Sequence, residues 1–471
     1  LGRLVVAKFG GSASGIDGEF VLDIVNRIKE LKKDSKVIAV FSAPLTMHEG
    51  KRKSLTDLAL HVGRSAEEGR QPDMAGFRNS YQRIMGHVSG GLREECSKTV
   101  ESLLQKAESA FVEAAEKRVF ADEIRSRALA FSGEILMSHV MDYILKSNGI
   151  KSEVIRYDVW PIITDNNIES TNFLASESQK RIGPVEELLQ QNEVLSIGGF
   201  IGKTVEGAET TYERGGSDRT AADLGILFHK KYDTQIDFEK DSAVVSADPR
   251  IVSEGLDDIT RLSYNEARTA GMFGMKILDP IAIKEILENG VDMQIIITNM
   301  KDPKKTTAIQ RRLEGPNGHP LKIVTGKKNC AILRIESDSA GRLLASLEKD
   351  KRYSEFVVLS PYTKDGIEFT RILFLDADYI RRNDRYVLGF DSLATITYGR
   401  GVITLIGDEM WRVQQIVSKA SSRIGDAGLN ILNMDAQEET SRVIIVIDDS
   451  GDNIEKAIRA VHSERAKITF R

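Results

Sequence analysis

Cysteine is nearly absent. The 471 residues carry only Cys96 and Cys330, far apart and with no histidine at ligand spacing. That excludes a disulfide scaffold, argues against a structural zinc site and fits a reducing cytoplasm. No apolar run approaches the ~20 residues that span a bilayer. The chain opens directly into a strand-like run, Leu4-Val5-Val6-Ala7, with no signal-peptide architecture before it. Cytoplasmic localisation and no membrane partner are therefore expected. No large block of one charge sign occurs and the net charge is only −5, so nucleic acid is not an expected partner either. Neither a Walker A loop nor a GxGxxG turn is present. What remains is the hydrophobic and charged balance of a soluble globular enzyme, with length for roughly three domains.

Over the first three hundred or so residues, short apolar runs alternate with amphipathic stretches, the pattern of an α/β fold with a largely parallel sheet. Strands are expected at 3–7, 37–41, 153–156, 193–197 and 293–298. Phe20, Val21, Ile24, Val25, Ile28 and Leu31 recur at helical spacing, with Asp17 placed as an N-cap. From about 72 to 130 the sequence turns polar and helical, either a lid or a solvated insertion without mechanistic role. Pro303, Gly315, Pro316, Gly318 and Pro320 mark a linker. Beyond it come two shorter units, one from about 321 to 387 with a strand, a helix and two strands, and one from 401 on in βαββα order. This is the texture of small ferredoxin-like α+β modules in a loose internal repeat.

Chemistry concentrates at a few turns. Lys8-Phe9-Gly10-Gly11-Ser12 follows a strand and precedes a helix, so backbone N–H groups and one ammonium face the same spot, suited to phosphate. Read alone, such a Gly-Gly turn is more often structural. Thr210 to Asp218 ends in Arg214-Gly215-Gly216-Ser217-Asp218 ahead of an Ala- and Leu-rich helix. Arg214 suits bidentate carboxylate binding, Asp218 can orient nearby lysines, and Ser217 or Asp218 is equally an N-cap. Arg250 in Ala247-Asp248-Pro249-Arg250 and Lys276 in Phe273-Gly274-Met275-Lys276 are candidate phosphate contacts, though each alone reads as a surface charge. Glu134, after Phe131-Ser132-Gly133, either favours a helix N-terminus or pairs with a substrate ammonium.

In this order KFGGS, SGE, GGFIG (198–202), RGGSD, ADPR and FGxKxLxP resemble the aspartate kinases of the amino acid kinase family, over essentially the whole chain. The resemblance implies a three-layer αβα kinase domain at 1–305 and two ACT modules at 321–395 and 396–471. It implies transfer of the γ-phosphate of Mg-ATP to the side-chain carboxylate of L-aspartate, the first step of the aspartate-family amino acid pathway. Lys8 with Gly10, Gly11 and Ser12 would hold the transferring phosphoryl group, and Lys8, Asp218 and Lys276 would be catalytic. Val245, Arg250 and Lys276 would contact ATP. Ser42, Glu134, Arg214, Ser217 and Asp218 would form the acceptor pocket, with Glu134 on the α-ammonium and Arg214 on the α-carboxylate. No resident metal site is expected. The ACT modules imply homo-oligomers and feedback by lysine or threonine, with Asp408, Met410, Asn430 and Ile431 as effector contacts.

The chain also departs from the family. Phe238 to Ser246 replaces W-T-D-V-x-G-V-Y-T, so Val245 stands for the usual tyrosine and Glu239-Lys240 for Thr-Asp. Glu213 and Asp279 replace a glycine and a histidine, and the stretch Leu45 to Thr56 is longer than usual. Either Thr46 or Thr56 takes the family's threonine position at the substrate. Two alternatives stay open: a kinase of another amino acid, and a non-catalytic amino-acid sensor of the same fold.

Overall fold

The run around Leu4-Val5-Val6-Ala7 becomes the strand Gly2–Phe9, buried on both faces from Leu4 to Ala7, as a central strand of a covered parallel sheet must be. The computed structural model describes residues 2–213, 215–313, 319–350, 355–437 and 440–468. Two units divide the chain: Leu1–Ala243 with Ile281–Gln310, and Val244–Pro280 with Arg311–Arg471. The segment 244–280, inside the expected kinase domain, thus clusters with the C-terminal residues.

In the first unit seven strands run in the spatial order Thr306–Gln310, Gln294–Asn299, Tyr232–Lys240, Gly2–Phe9, Lys36–Phe41, Val194–Gly198 and Ser152–Val154. All neighbours are parallel except the pair 294–299 and 306–310. Strand alternation sorts the covering helices. Arg27, on the helix Val21–Leu31, reaches Asp237 and Glu239. The side chain of Ile236 instead packs at Gly225 of the helix Gly216–Phe228, where an added Cβ would sit 3.0 Å from it. These helices therefore cover opposite faces, giving the expected three-layer order.

Helix Val21–Leu31 buries Val21, Ile24, Val25 and Ile28, as their spacing requires. Its N-cap is Phe20 rather than the expected Asp17, which takes φ +49° and pairs with Arg83 instead. The strand Tyr232–Lys240 had no clear sequence signature, because Asp237 and Glu239 are buried charges and break the apolar pattern. Arg27 bridges them, with Nε 2.6 Å from Glu239 and Nη2 3.1 Å from Asp237.

The polar stretch 72–130 forms the helices Ala75–Ile84, Gly90–Lys117 and Asp122–Ser132, with Phe77, Tyr81, Leu104 and Phe111 buried. Helix 90–117 packs on 55–67, 122–132 and 134–147. It is a packed brace.

In the second unit the order βαββα occurs twice. Ile323–Glu336, helix Ser337–Asp350, Phe356–Lys364, Ile367–Phe374 and helix Ala377–Arg382 form the first half. Thr395–Ile406, helix Ile416–Asp426, Ile431–Gln437, Arg442–Asp448 and helix Asn453–Ser463 form the second. Their six strands share one antiparallel sheet in which the long first strands of the two halves are neighbours. Cys330 in this unit and Cys96 in the other are free and buried, and burial pushes each thiol up to about 12.

Candidate active site

The ends of strands Gly2–Phe9 and Lys36–Phe41 open into a cleft of about 850 Å³, lined by Lys8, Gly11, Ser12, Ser42, Thr56 and Glu134 together with Ser217 and Asp218. Three glycines permit the close packing around it. An added Cβ at Gly11 would lie 2.7 Å from the Ala43 carbonyl oxygen, one at Gly198 2.7 Å from the Glu134 backbone, and one at Gly199 2.6 Å from the Ser217 side chain. Contacts that short do not occur, so the Gly-Gly pairs of KFGGS and GGFIG have a packing reason.

An ion pair stands in the cleft. Lys8 Nζ lies 2.9 Å from Asp218 Oδ1, both largely buried. Asp218 stands in the first turn of helix 216–228, whose N-cap Gly215 takes φ +93°. Lys240 shares the strand face of Ile236 and Phe238, and its ammonium feels both Asp218 and Lys8. Burial lowers its pKa to about 8. The sequence marks this lysine only as a departure from the family pattern and not as a site residue, because its strand has no clear signature.

A buried carboxyl lines the same cleft. Glu134 opens the helix Glu134–Ser147 and is 4% exposed. Thr56 Oγ1 donates to its Oε1 at 3.1 Å, while its Oε2 has no hydrogen-bond partner among the described residues. Burial raises this carboxyl to about 7, against the opposing pull of backbone N–H groups and Thr56. The brace supports the same turn, since Tyr81 OH donates to the Gly133 carbonyl at 2.8 Å. Of Thr46 and Thr56, it is Thr56 that lines the cleft. Thr46 is buried in the hairpin Leu45–His48/Lys51–Ser54, opposite Lys53. Hairpin and following helix also contribute Arg52, Ser54 and Arg64 to the wall.

Helix 216–228 is held from behind. Arg219 pairs with Glu285 at 2.5 Å and stacks on Tyr212, 4.1 Å from the ring centre.

A profile of the amino acid kinase family matches residues 3–299. The chain belongs to that family. Among the family's curated members, the aspartokinase of Rickettsia felis is 25% identical over 68% of this chain and 78% of its own length. The lysine-sensitive aspartokinase 3 of Escherichia coli is 26% identical over 72% and 70%. The crystal structure of E. coli aspartokinase III with aspartate and ADP superposes over 98% of this chain and 99% of its own, with a TM-score of 0.77 at 18% identity. That likeness establishes the fold.

The remaining expected residues of this family member divide as follows. Gly10 caps the short helix Gly11–Ser14 beside Lys8. Arg214 lies outside the described residues. Val245, Arg250 and Lys276 belong to the second unit. Val245 bridges Asp258, and Arg250 is exposed and bound to Asp248. Lys276 is exposed. Ser246, next to Val245, hydrogen bonds His462 of the last helix at 2.9 Å. Asp408 donates its backbone N–H to Glu266 and accepts from Ser441, lining a cavity of about 330 Å³. Met410 is buried and lines another of about 280 Å³. Ile431 starts its strand paired with Ile447, and Asn430 is exposed just before it.

Proposed function

We propose that the chain is an aspartate kinase, transferring the ATP γ-phosphate to the side-chain carboxylate of L-aspartate. The observation that carries this reading is Glu134: a buried carboxylate with one oxygen unsatisfied, in the same cleft as the Lys8–Asp218 pair. Burying a carboxylate without a full set of partners is costly, and a substrate ammonium supplies the missing one. An N-acylated amino acid carries no ammonium and gains nothing there.

In the reaction, an oxygen of the substrate carboxylate attacks the γ-phosphorus, and the bond from that phosphorus to the β–γ bridging oxygen breaks. ADP leaves with the electron pair, and an acyl phosphate forms. The nucleophile is already ionised, so no general base is required, in keeping with a cleft in which no histidine is found among the described lining residues. Two anions must meet, and catalysis is therefore positioning plus charge neutralisation. Lys8 and the Gly10-Gly11-Ser12 turn hold the phosphoryl oxygens, Asp218 orders the Lys8 and Lys240 ammonium groups, and Ser42 and Ser217 complete the acceptor pocket. Arg214 on the α-carboxylate, and Val245, Arg250 and Lys276 on ATP, rest on the family resemblance. Asp218, a carboxylate of the type Mg²⁺ prefers, would face the ion accompanying the triphosphate, which would offset phosphoryl charge.

ADP release with Mg-ATP against a panel of amino acids tests the reading. Turnover is expected with L-aspartate, accompanied by a hydroxylamine-trappable acyl phosphate. Turnover with glutamate or N-acetylglutamate instead transfers the assignment to another kinase, and no turnover with any acceptor establishes the sensor.

Thr56→Val is expected to raise the Glu134 pKa further, because it removes a bond that favours the ionised form. The acid limb of kcat/KM for aspartate then moves to higher pH, measured by steady-state profiles of both proteins.

The second unit supports regulation by lysine or threonine. The loop carrying Arg250 is fastened to the final helix through Ser246 and His462, so a shift of the C-terminal sheet reaches that loop. His462→Ala is expected to weaken effector inhibition several-fold, within the usual range of coupling energies, when inhibition is titrated at fixed substrate.

A further inference from the structure

We propose that His48, Glu49 and His61 form a site for one transition-metal ion of the zinc class, which fastens the hairpin 45–54 to the helix Leu55–Glu67. Among the described residues, these three are the group of histidine, cysteine or acidic side chains whose donor atoms gather closely, all within 4.8 Å of one another. It differs from the expectation of no resident metal site. The sequence conceals it because the two histidines are separated by a turn, a strand and the opening turns of a helix.

The local backbone brings them together. Glu49 and Gly50 both take positive φ, +51° and +71°, as in a two-residue type I′ turn. His48 and Lys51 therefore face each other across the hairpin end, and Glu49 stands at its tip. The following helix returns past that end and presents His61, its ring centre 5.3 Å from that of His48 and tilted by 60°. His48 Nε2 is shielded from solvent and has no hydrogen-bond partner among the described residues, and it lies 3.9 Å from Glu49 Oε2.

Two imidazoles and one carboxylate form the three-ligand set that zinc accepts with a fourth position left for water. Metal–ligand bonds near 2.0–2.1 Å place tetrahedral donors about 3.3 Å apart, so closure requires only side-chain rotation of the exposed Glu49 and His61. Magnesium and calcium, which prefer oxygen donors, are not expected here. Lys51 and Arg52 are exposed neighbours whose flexible charges can turn away from a cation. The site adjoins the acceptor cleft: Arg52, Ser54 and Thr56 lie between its two histidines in sequence, and all three line the cleft. Joining residue 48 to residue 61 restrains that segment, so metal is expected to alter the KM for the acceptor more than kcat. This coupling rests on the kinase reading, whereas metal binding itself does not.

The test is calorimetric titration of the full chain with Zn²⁺, and in parallel the visible spectrum after adding Co²⁺. The wild-type protein is expected to bind one more ion per chain than His48→Ala/His61→Ala, and to show four-coordinate cobalt bands that the double variant lacks. Glu49→Gln should weaken binding without abolishing the imidazole contribution, and near-ultraviolet circular dichroism establishes that each variant is folded. Equal stoichiometry in the wild-type and double-variant proteins, or identical cobalt spectra, overturns the proposal whatever the kinase assays show.

Discussion

Lys8→Ala is expected to lower kcat by roughly 10²–10³, the usual consequence of deleting a preorganised group that stabilises transition-state charge. The Lys8 ammonium lies 2.9 Å from Asp218 in the cleft, on the strand end nearest the Gly10-Gly11 turn. Because developing phosphoryl charge is what it neutralises, kcat and kcat/KM should fall together while the KM for aspartate changes little. Asp218 is 7% exposed and loses a counter-ion in the variant. Lys240 still feels its charge, which keeps the carboxylate from being wholly uncompensated. Melting curves measured beside the kinetics separate loss of chemistry from loss of fold. Near wild-type turnover in a folded Lys8→Ala protein would refute the mechanism.

Glu134→Gln is the second large effect, and it acts on binding. A hydrogen bond to a charged group is worth about 1.5–3 kcal/mol, so the KM for aspartate should rise roughly 10–100-fold. In the wild-type protein kcat/KM for aspartate is expected to fall as pH drops through about 7, where the free enzyme's Glu134 takes up a proton and stops attracting an ammonium. The Gln variant should lack that limb. Stability moves the other way. The folded-state pKa is raised to about 7 from an ordinary 4.5, so the native chain holds a proton that the unfolded chain has released between those values. Ionised Glu134 therefore weakens the fold at higher pH, and the cost disappears as pH falls through the window. Glu134→Gln should melt at a higher temperature than the wild type near pH 8, with the difference shrinking toward pH 5. A variant that melts lower at both pH values and binds aspartate normally would refute the ammonium role.

Much of this was legible from residue order. The strands 2–9, 36–41, 194–198 and 294–299 coincide closely with apolar runs, and the βαββα order of the C-terminal repeat follows from strand and helix periodicities. Lys8, Ser42, Glu134, Ser217 and Asp218 were all nominated, and all line one cleft. What was missed shares a cause. Strand 232–240 is disguised by buried charges whose counter-ion, Arg27, comes from more than 200 residues away, and Lys240 was hidden with it. The same holds for the choice between Thr46 and Thr56, which depends on a hydrogen bond to a residue 78 positions distant.

The linear chain by itself determined the α/β pattern, the glycine turns and the chemical types available, because periodicity and backbone freedom are local properties. Only the tertiary structure decided which charges face one another. It buried Glu134 with an oxygen unsatisfied, set Lys8 against Asp218, turned Glu239 toward Arg27, brought Lys240 within electrostatic reach of Asp218 and Lys8, and brought His48 beside His61. Electrostatic energy depends on separation in space and on solvent exclusion, and neither is written in the order of residues along the chain.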